Sequence, residues 1–267
     1  MKEMRSFVKG LAVCGIALAM ISTLSAQTVT QRSATVRKIK GDARYSVGGG
    51  DWKQLKVGDK VKAGMTIQTS KEKGSFVDLV TGEISSRPTA VQGAAAASGG
   101  SGFAPASEQN ALRISENTIL SIDKFTSMET GSGEPVTEVQ LDLKAGKIFG
   151  SVKKMSAGSK YEVKIPNGVA GIRGTMFSIS ADGVVDVMVG SVVMAYVDPG
   201  SGAVSTQIVS GNQEYDARTG ILSPLPNSAR QVLDGIATVF RTYLPAVTPS
   251  GISTDHTLRY VSPTGGP

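Results

Sequence analysis

Cysteine and histidine, which often serve as nucleophiles, general bases and metal ligands, occur once each in this sequence. Cys14 lies in an apolar run near the N-terminus, and His256 lies among polar residues close to the C-terminus. One histidine cannot form a multi-histidine metal site, and a serine-histidine-aspartate triad would have to use it as the base. We therefore expect His256 to be a solvated loop residue.

The glycine-rich segment 167–175, Asn-Gly-Val-Ala-Gly-Ile-Arg-Gly-Thr, invites comparison with a phosphate-binding loop. A P-loop needs lysine before its final serine or threonine, and Gly174 stands in that place. It also needs a helix next, whereas the residues after Thr175 are typical of a strand. We predict that Gly171, Gly174 and Thr175 form a structural motif, a tight turn or bulge packed against a sheet.

Other arrangements that could do chemistry are weaker. No order of Asp and Glu singles out a pair for glycoside hydrolysis. Asp182-Gly183 and Asp198-Pro199-Gly200 are ordinary turn sequences, because no run of alternating Asp ligands with a terminal Glu exists. Trp52 with Tyr45 could form a sugar-stacking platform, although a core or hairpin contact also explains them. The sequence therefore predicts no enzyme, and no catalytic, cofactor-binding or metal-binding residues.

The first 26 residues have the layout of a secretory signal peptide. A basic start precedes an uncharged apolar run at 11–24, and small residues at 25 and 26 come before Gln27. The run is shorter than the about 20 residues that span a bilayer comfortably. We predict cleavage after Ala26, with an uncleaved anchor as the alternative. Cys14 would leave with the signal, so the mature protein would contain no thiol or disulfide.

The charge of the chain is mild. Its 28 basic and 22 acidic residues give a formal net charge of +6, and the basic residues are scattered without an aromatic stripe. This pattern argues against nucleic acid as a partner, which an exported protein would rarely meet. We also predict no transmembrane span in the mature chain.

Glycine punctuation and alternating polarity predict an all-β fold. Segments 137–144 and 161–165 alternate polar and apolar residues, as strands with one buried face do. Segment 184–197 is apolar on both faces and is predicted to form the central strands. We predict a mainly antiparallel β-sandwich, or a flattened β-roll or solenoid-like domain, across residues 33–222.

One helix is predicted after the β domain, at 227–244. Asn227 or Ser228 can cap its start, and Pro245 ends it. Its apolar residues recur at helical spacing and are Val232, Leu233, Ile236, Val239, Phe240 and Tyr243. We expect this stripe to pack on its own domain, although it could bind a partner instead.

Two segments are predicted to be flexible. Residues 84–110 are of low complexity, and few large apolar side chains are available there to offset the entropy of ordering. We interpret this stretch as a surface insertion in the β domain. Residues 246–267 are rich in Ser, Thr, Pro and Gly and are predicted to form a loose tail.

In their order and spacing, several of these segments resemble the FecR family. The segments that carry the resemblance are 36–41, 52–59, 61–69, 77–82, 112–114, 141–148, 161–166, 171–177 and a final strand pair ending near 213. The sharpest is Tyr-Glu-Val-Lys-Ile-Pro at 161–166 leading to Gly-Ile-Arg-Gly-Thr-Met-Phe at 171–177. The resemblance covers most of residues 33–215 and adds Gly146 to the predicted structural motif.

The FecR resemblance implies an all-β extracytoplasmic domain that binds other proteins. Iron-uptake regulators of this family relay a signal from an outer-membrane receptor to a cytoplasmic sigma factor. We expect this chain to depart from that arrangement, with neither a cytoplasmic N-terminal region nor a membrane-spanning helix. We predict an exported protein of the periplasm or cell surface whose partner is another envelope protein. The alternative is a carbohydrate- or peptidoglycan-binding envelope module.

The signal peptide gives the first testable prediction. N-terminal sequencing of the native protein is expected to begin at Gln27, because small residues at 25 and 26 follow the apolar run. A cytoplasmic protein that retains Met1 would contradict this prediction.

Overall fold

The computed structural model describes residues 29–81, 110–129 and 135–243. The predicted signal peptide and the predicted C-terminal tail lie outside these residues. The predicted insertion at 84–110 also lies outside them, apart from its last residue, Asn110, which begins a strand.

Strands dominate the described residues, which confirms the predicted all-β fold with one C-terminal helix. The strands form one large curled sheet. They are β1 (Val29–Gln31), β2 (Ser33–Lys40), β3 (Ala43–Val47), β4 (Lys53–Gln54), β5 (Lys60–Lys62), β6 (Met65–Thr69), β7 (Phe76–Thr81), β8 (Asn110–Ile114), β9 (Ile119–Met128), β10 (Val136–Ala145), β11 (Lys147–Ser151), β12 (Lys160–Ile165), β13 (Gly168–Ser180), β14 (Val184–Val197), β15 (Val204–Ser210), β16 (Gln213–Asp216) and β17 (Ile221–Pro224). The helix, α1, covers Asn227–Thr242.

The strand pairings divide the curled sheet into two halves that share the two longest strands, β13 and β14. In the first, which we name the helix-bearing half, the order is β2-β7-β8-β11-β13-β14-β16-β17. In the second, the open half, the order is β4-β3-β6-β9-β10-β12-β13-β14-β15. Each of these pairs is antiparallel except β10 with β12.

Both halves contribute to one core of buried apolar side chains. Leu141 and Val163 come from the open half, and Ile114 and Phe177 come from the helix-bearing half. Along β12 buried residues alternate with more exposed ones, as the sequence pattern predicted. Burying each side chain of this size stabilises the fold by about 1.5–3 kcal/mol, so the core holds the two halves together.

Segment 184–197 forms β14, which is central as predicted, but in its second half one of the two apolar faces is exposed. The strand is central, because β13 pairs with one edge of β14 while β15 and β16 share the other. Val193 and Val197 nevertheless point outwards and are 45% and 42% exposed. Neither lies in the apolar cluster beneath α1, so these valines face outwards uncovered.

Helix α1 begins without the side-chain cap that the sequence suggested. Pro226 occupies the N-cap position with extended backbone, at φ −60° and ψ 145°, and no side chain caps the first turn. The carbonyl of Pro226 accepts the first helical hydrogen bond, from the amide of Arg230. Asn227 and Ser228 therefore lie inside the helix, where neither can act as its N-cap.

The apolar stripe of α1 packs on its own domain. Leu233, Ile236 and Phe240 are buried against a cluster that includes Val80 and Met176 on the outer face of the helix-bearing half. Val232 remains 49% exposed, because it lies about 100° around the helix from Leu233. The helix thus covers one half of the sheet.

A buried ion pair fixes the C-terminal end of α1. Asp78 on β7 is fully buried, and Arg113 on β8 binds both of its carboxylate oxygens, at 2.6 Å and 2.7 Å. The Tyr243 hydroxyl, just after α1, donates a further hydrogen bond to Asp78. Burial, and then this bond, raise the pKa of Tyr243, so the hydroxyl remains a donor. The Arg113 guanidinium also lies 4.0 Å from the centre of the Phe76 ring.

Replacing Tyr243 with Phe tests this attachment. The change should lower the free energy of unfolding by about 1.5–3 kcal/mol, because the buried Asp78 carboxylate loses a hydrogen-bond donor. Urea denaturation measures it, with Tyr45→Phe as the matched control. The Tyr45 hydroxyl makes no hydrogen bond to any residue that the structure describes, so an equal loss in both variants would contradict the assignment.

Candidate functional site

The glycine-rich segment lies within one continuous strand rather than between two strands. The chain reverses at Pro166 and Asn167, and β13 then runs unbroken past Gly174. The segment begins in that turn, and further along β13 its pairing with β14 is interrupted by a bulge. Arg173 pairs with Ser191 and Met176 with Val189, so two residues of β13 oppose one residue of β14.

Gly174 supplies the unusual backbone conformation of this bulge. Its φ is +65°, which side-chain-bearing residues rarely adopt, and an added Cβ would lie 3.2 Å from the Cα of Lys154. Gly190, the β14 residue opposite, is more tightly enclosed. A Cβ there would lie 2.2 Å from the carbonyl oxygen of Gly174. Sequence analysis did not single out Gly190, because the contact depends on the register of the two strands.

Thr175 anchors the bulge on both sides. Its buried side chain donates a 2.8 Å hydrogen bond to the carbonyl of Ser191 on β14. Its backbone exchanges two hydrogen bonds of 2.9 Å with Val152, just beyond β11. Thr175 therefore ties β13 to neighbours in both directions, which is consistent with the structural role predicted for it.

Gly146 occupies a second place where the chain passes between the two halves. It separates β10 from β11 with φ +83°, and an added Cβ would lie 2.6 Å from the Cα of Thr118. The Thr118 hydroxyl accepts a 3.1 Å hydrogen bond from the amide of Lys147. Only glycine fits at Gly146 without moving the backbone.

Gly171 differs from the other glycines of the predicted motif. An added Cβ would meet nothing closer than the carbonyl oxygen of Val193, at 3.9 Å, and its φ is not positive. Arg173, two residues further along β13, is exposed. The geometry thus separates Gly171, where another residue fits, from Gly146 and Gly174.

The outer face of the open half carries an exposed apolar surface. Val193 lies directly beside Ile208, and Val197 beside Val204, in the register of β14 with β15. These four and Val169 on β13 are each at least 38% exposed, and Val204 reaches 71%. We name this group of five residues the apolar surface. Contiguous exposed apolar side chains of this kind mark interaction sites.

Ion pairs occupy the rest of this outer face. Lys164 bonds Asp123 at 2.9 Å, and Lys124 bonds Glu138 at 2.7 Å. The hydrogen bond to Asp123 raises the pKa of Lys164, so that amine stays charged. The open half therefore presents a charged part on β9, β10 and β12, whereas the exposed side chains on β13 to β15 are uncharged apart from Arg173, which lies at the bulge end of β13.

The edge of the open half is a strand without a second neighbour. Among the described residues, β15 pairs only with β14. Its sequence, Val-Ser-Thr-Gln-Ile-Val-Ser, contains no charge and no proline. Natural edge strands usually carry such residues because they prevent pairing with other chains. β15 lacks this protection.

Several buried polar groups line up across the helix-bearing half. Strand register places the following residues side by side on its outer face: Lys38, Asp78, Arg113, Phe149, Ser178, Asp186, Glu214 and Ser223. We name this set the cross-strand row. Its members come from eight strands, so sequence spacing could not reveal it. It brings together Asp186 and Glu214, two carboxyl groups that the order of acidic residues did not single out.

Trp52 and Tyr45 do not form a shared platform. Trp52 is 43% exposed, and the Arg44 guanidinium lies 4.6 Å from its ring centre. Tyr45 follows Arg44 on β3 and packs against the core. Successive residues of a strand point to opposite faces, so the two rings lie on different sides of the sheet.

Two further kinds of feature are absent from residues 29–81, 110–129 and 135–243. No three His, Cys, Asp or Glu side chains come together as a metal-binding group there. No helix in those ranges is both long and apolar enough to cross a membrane.

Comparisons with known proteins confirm the FecR resemblance. The family model described as FecR protein matches residues 104–193, which include Gly146, Gly171, Gly174 and Gly190. Two crystal structures of a provisionally assigned anti-sigma factor from Parabacteroides distasonis are 15% and 16% identical to this chain, each with a TM-score of 0.33. The alignments cover 48% of this chain and 55% and 56% of theirs, so the chain spans about half of their length. No curated protein matches.

The bulge yields a prediction with an internal control. Gly174→Ala should lower the free energy of unfolding by about 1 kcal/mol or more, because alanine is strained at positive φ. Gly171→Ala should leave it unchanged or slightly raised, because its backbone is ordinary and the site has room. Chemical denaturation compares the two variants with wild type. Equal stability of both variants would show that the bulge does not require glycine.

Proposed function

We propose that this chain is an exported, non-catalytic module of the bacterial cell envelope that works by binding another protein. The match to the FecR family model supports the class, and the signal-peptide layout supports the compartment. The structural motif of Gly146, Gly174 and Thr175 serves this function indirectly, by shaping the sheet that carries the binding surface.

The apolar surface is the observation on which this proposal rests. Val204 and Ile208 expose 71% and 58% of their surface on β15, the edge strand whose inward-facing Val209 belongs to the core. Removing apolar surface from water is favourable by about 25 cal/mol for each Å², and these exposed side chains do not gain that free energy in the isolated protein. A partner that covers them recovers part of this free energy.

The edge strand β15 indicates the chemistry of the partner. An extended segment can add to a free sheet edge through backbone hydrogen bonds, while pockets and ridges on the face select its alternate side chains. On β15 the outward side chains are Val204, Thr206 and Ile208, all β-branched. The fitting partner is therefore a protein segment in β conformation that is uncharged and has apolar residues at alternate positions.

Ile208→Lys tests this interaction against Val57→Lys as the control. Val57 and Ile208 are both about 60% exposed. Val57, however, lies in a turn that is far from β15 in the sequence and does not neighbour it in the sheet. We expect Ile208→Lys to weaken recovery of the partner from envelope extract at least about tenfold, because a lysine would have to be desolvated at the contact. Val57→Lys should recover as much partner as wild type.

The contact itself is located by a photocrosslinking residue placed at Thr206. A crosslink to a protein at this position, and none at Val57, is the expected outcome. Retention of wild type and both variants on purified wall polymer, without a crosslink at Thr206, would instead favour the alternative, a carbohydrate- or peptidoglycan-binding module. Equal recovery of partner by the two lysine variants would overturn the assignment to β15.

A further inference from the structure

Three polar residues of the cross-strand row lie on neighbouring strands of the helix-bearing half. Ser178 on β13 is directly opposite Asp186 on β14, and Asp186 is directly opposite Glu214 on β16. Directly opposed side chains of a sheet are about 5 Å apart at Cβ. The register therefore brings two carboxyl groups within reach of each other.

Asp186 is buried and only partly satisfied. Its side chain is 3% exposed; one oxygen, Oδ2, accepts hydrogen bonds from the Ser178 hydroxyl and, at 3.1 Å, from the Lys147 amine. The other oxygen, Oδ1, is buried and has no hydrogen-bond partner within the described part of the chain. A buried carboxylate oxygen without a donor is costly.

Glu214 is the group placed to supply the missing donor. Burial, then its hydrogen-bonding contact with Asp186, raise the pKa of Glu214, and the negative charge of Asp186 adds to this. Lys147 opposes the shift, and Asp216 reinforces it more weakly. Asp216 itself is held by Arg218, which lowers the pKa of Asp216 and keeps it ionised.

We infer that Asp186 and Glu214 form a proton-binding site in which one proton is shared between the two carboxyl groups. The protonated Glu214 donates a hydrogen bond to Oδ1 of Asp186 and completes its set of partners. The proton comes from solvent, and the charge of Asp186, Glu214 and Lys147 together changes from −1 to 0. This site is independent of β15 and of the proposed binding function.

Lys147 alone does not remove the need for this proton. Its amine already contacts Oδ2 of Asp186, on the oxygen that Ser178 also bonds, and leaves Oδ1 unpaired. One cation beside two carboxylates also leaves a net negative charge in a partly buried place. Ser178 and Ser223, the neighbours of the pair in the row, are uncharged.

The shared proton makes stability depend on pH in a defined direction. The folded pKa of Glu214 lies above its ordinary value of 4.5, so the folded state holds more protons than the unfolded state in the window above 4.5. The stabilising contribution is complete below that value and is lost as the pH rises through the folded pKa. The chain has one histidine, His256, so few other groups titrate in the same window.

Two measurements on the purified protein test the site. In a carboxyl NMR titration, the midpoint of Glu214 should lie above its ordinary value of 4.5. Glu72, an exposed glutamate outside the cross-strand row, provides the control variant. In thermal unfolding at about pH 5 and about pH 8, Glu214→Gln should exceed wild type at the higher pH by roughly 2–4 °C, because its amide donates to Oδ1 without a proton. Its Tm should also lose the pH dependence that wild type and the control Glu72→Gln retain.

Two results would overturn the inference. The first is a Glu214 midpoint at or below 4.5. The second is a Glu214→Gln variant whose Tm follows the same pH dependence as wild type. If Glu214→Gln fails to fold, the NMR titration of Glu214 in the wild-type protein is sufficient to test the inference.

Discussion

The architecture depends on the places where the chain bends from one half of the sheet into the other. β13 and β14 run through both halves, so the two strands must bend at positions that lie side by side. The bulge formed by Gly174 of β13 and Gly190 of β14 lies at these positions. The carbonyl oxygen of Gly174 sits where any side chain at Gly190 would be. β12 pairs with β13 before the bend and β11 pairs with it after the bend. The position of the bend therefore sets which strand lies beside each end of β13.

Gly146 provides the matching bend between β10 and β11. The chain leaves the open half after β10 and enters the helix-bearing half one residue later, against Thr118. A Cβ at this point would overlap backbone atoms of the preceding loop. The two bends together curl the sheet around one core, so that both halves bury their inner faces without a second layer of helices.

Helix α1 covers only one of the two outer faces. Its apolar stripe and the Asp78–Arg113–Tyr243 contact fasten it to the helix-bearing half. The ion pair itself joins β7 to β8, and the hydrogen bond from Tyr243 holds the end of the helix beside it. The open half keeps its apolar surface and the free edge of β15. The unequal covering of the two faces connects the fold to the proposed binding function.

Local sequence patterns determined the strands, the all-β class, the existence of the helix and the resemblance to the FecR family. Alternation along 137–144 and 161–165 reports a half-buried strand directly, because side-chain direction in a strand has a period of two. Gly174 was recognised for a similar reason, since glycine itself carries the conformational freedom, whereas Gly146 was recognised through the FecR resemblance. Only the tertiary structure decided that Gly190 closes the bulge, that Val193 and Val197 face outwards, and that Asp186 meets Glu214. These features depend on strand register and on where α1 lies, which are set by contacts between residues far apart in the chain and leave no local pattern.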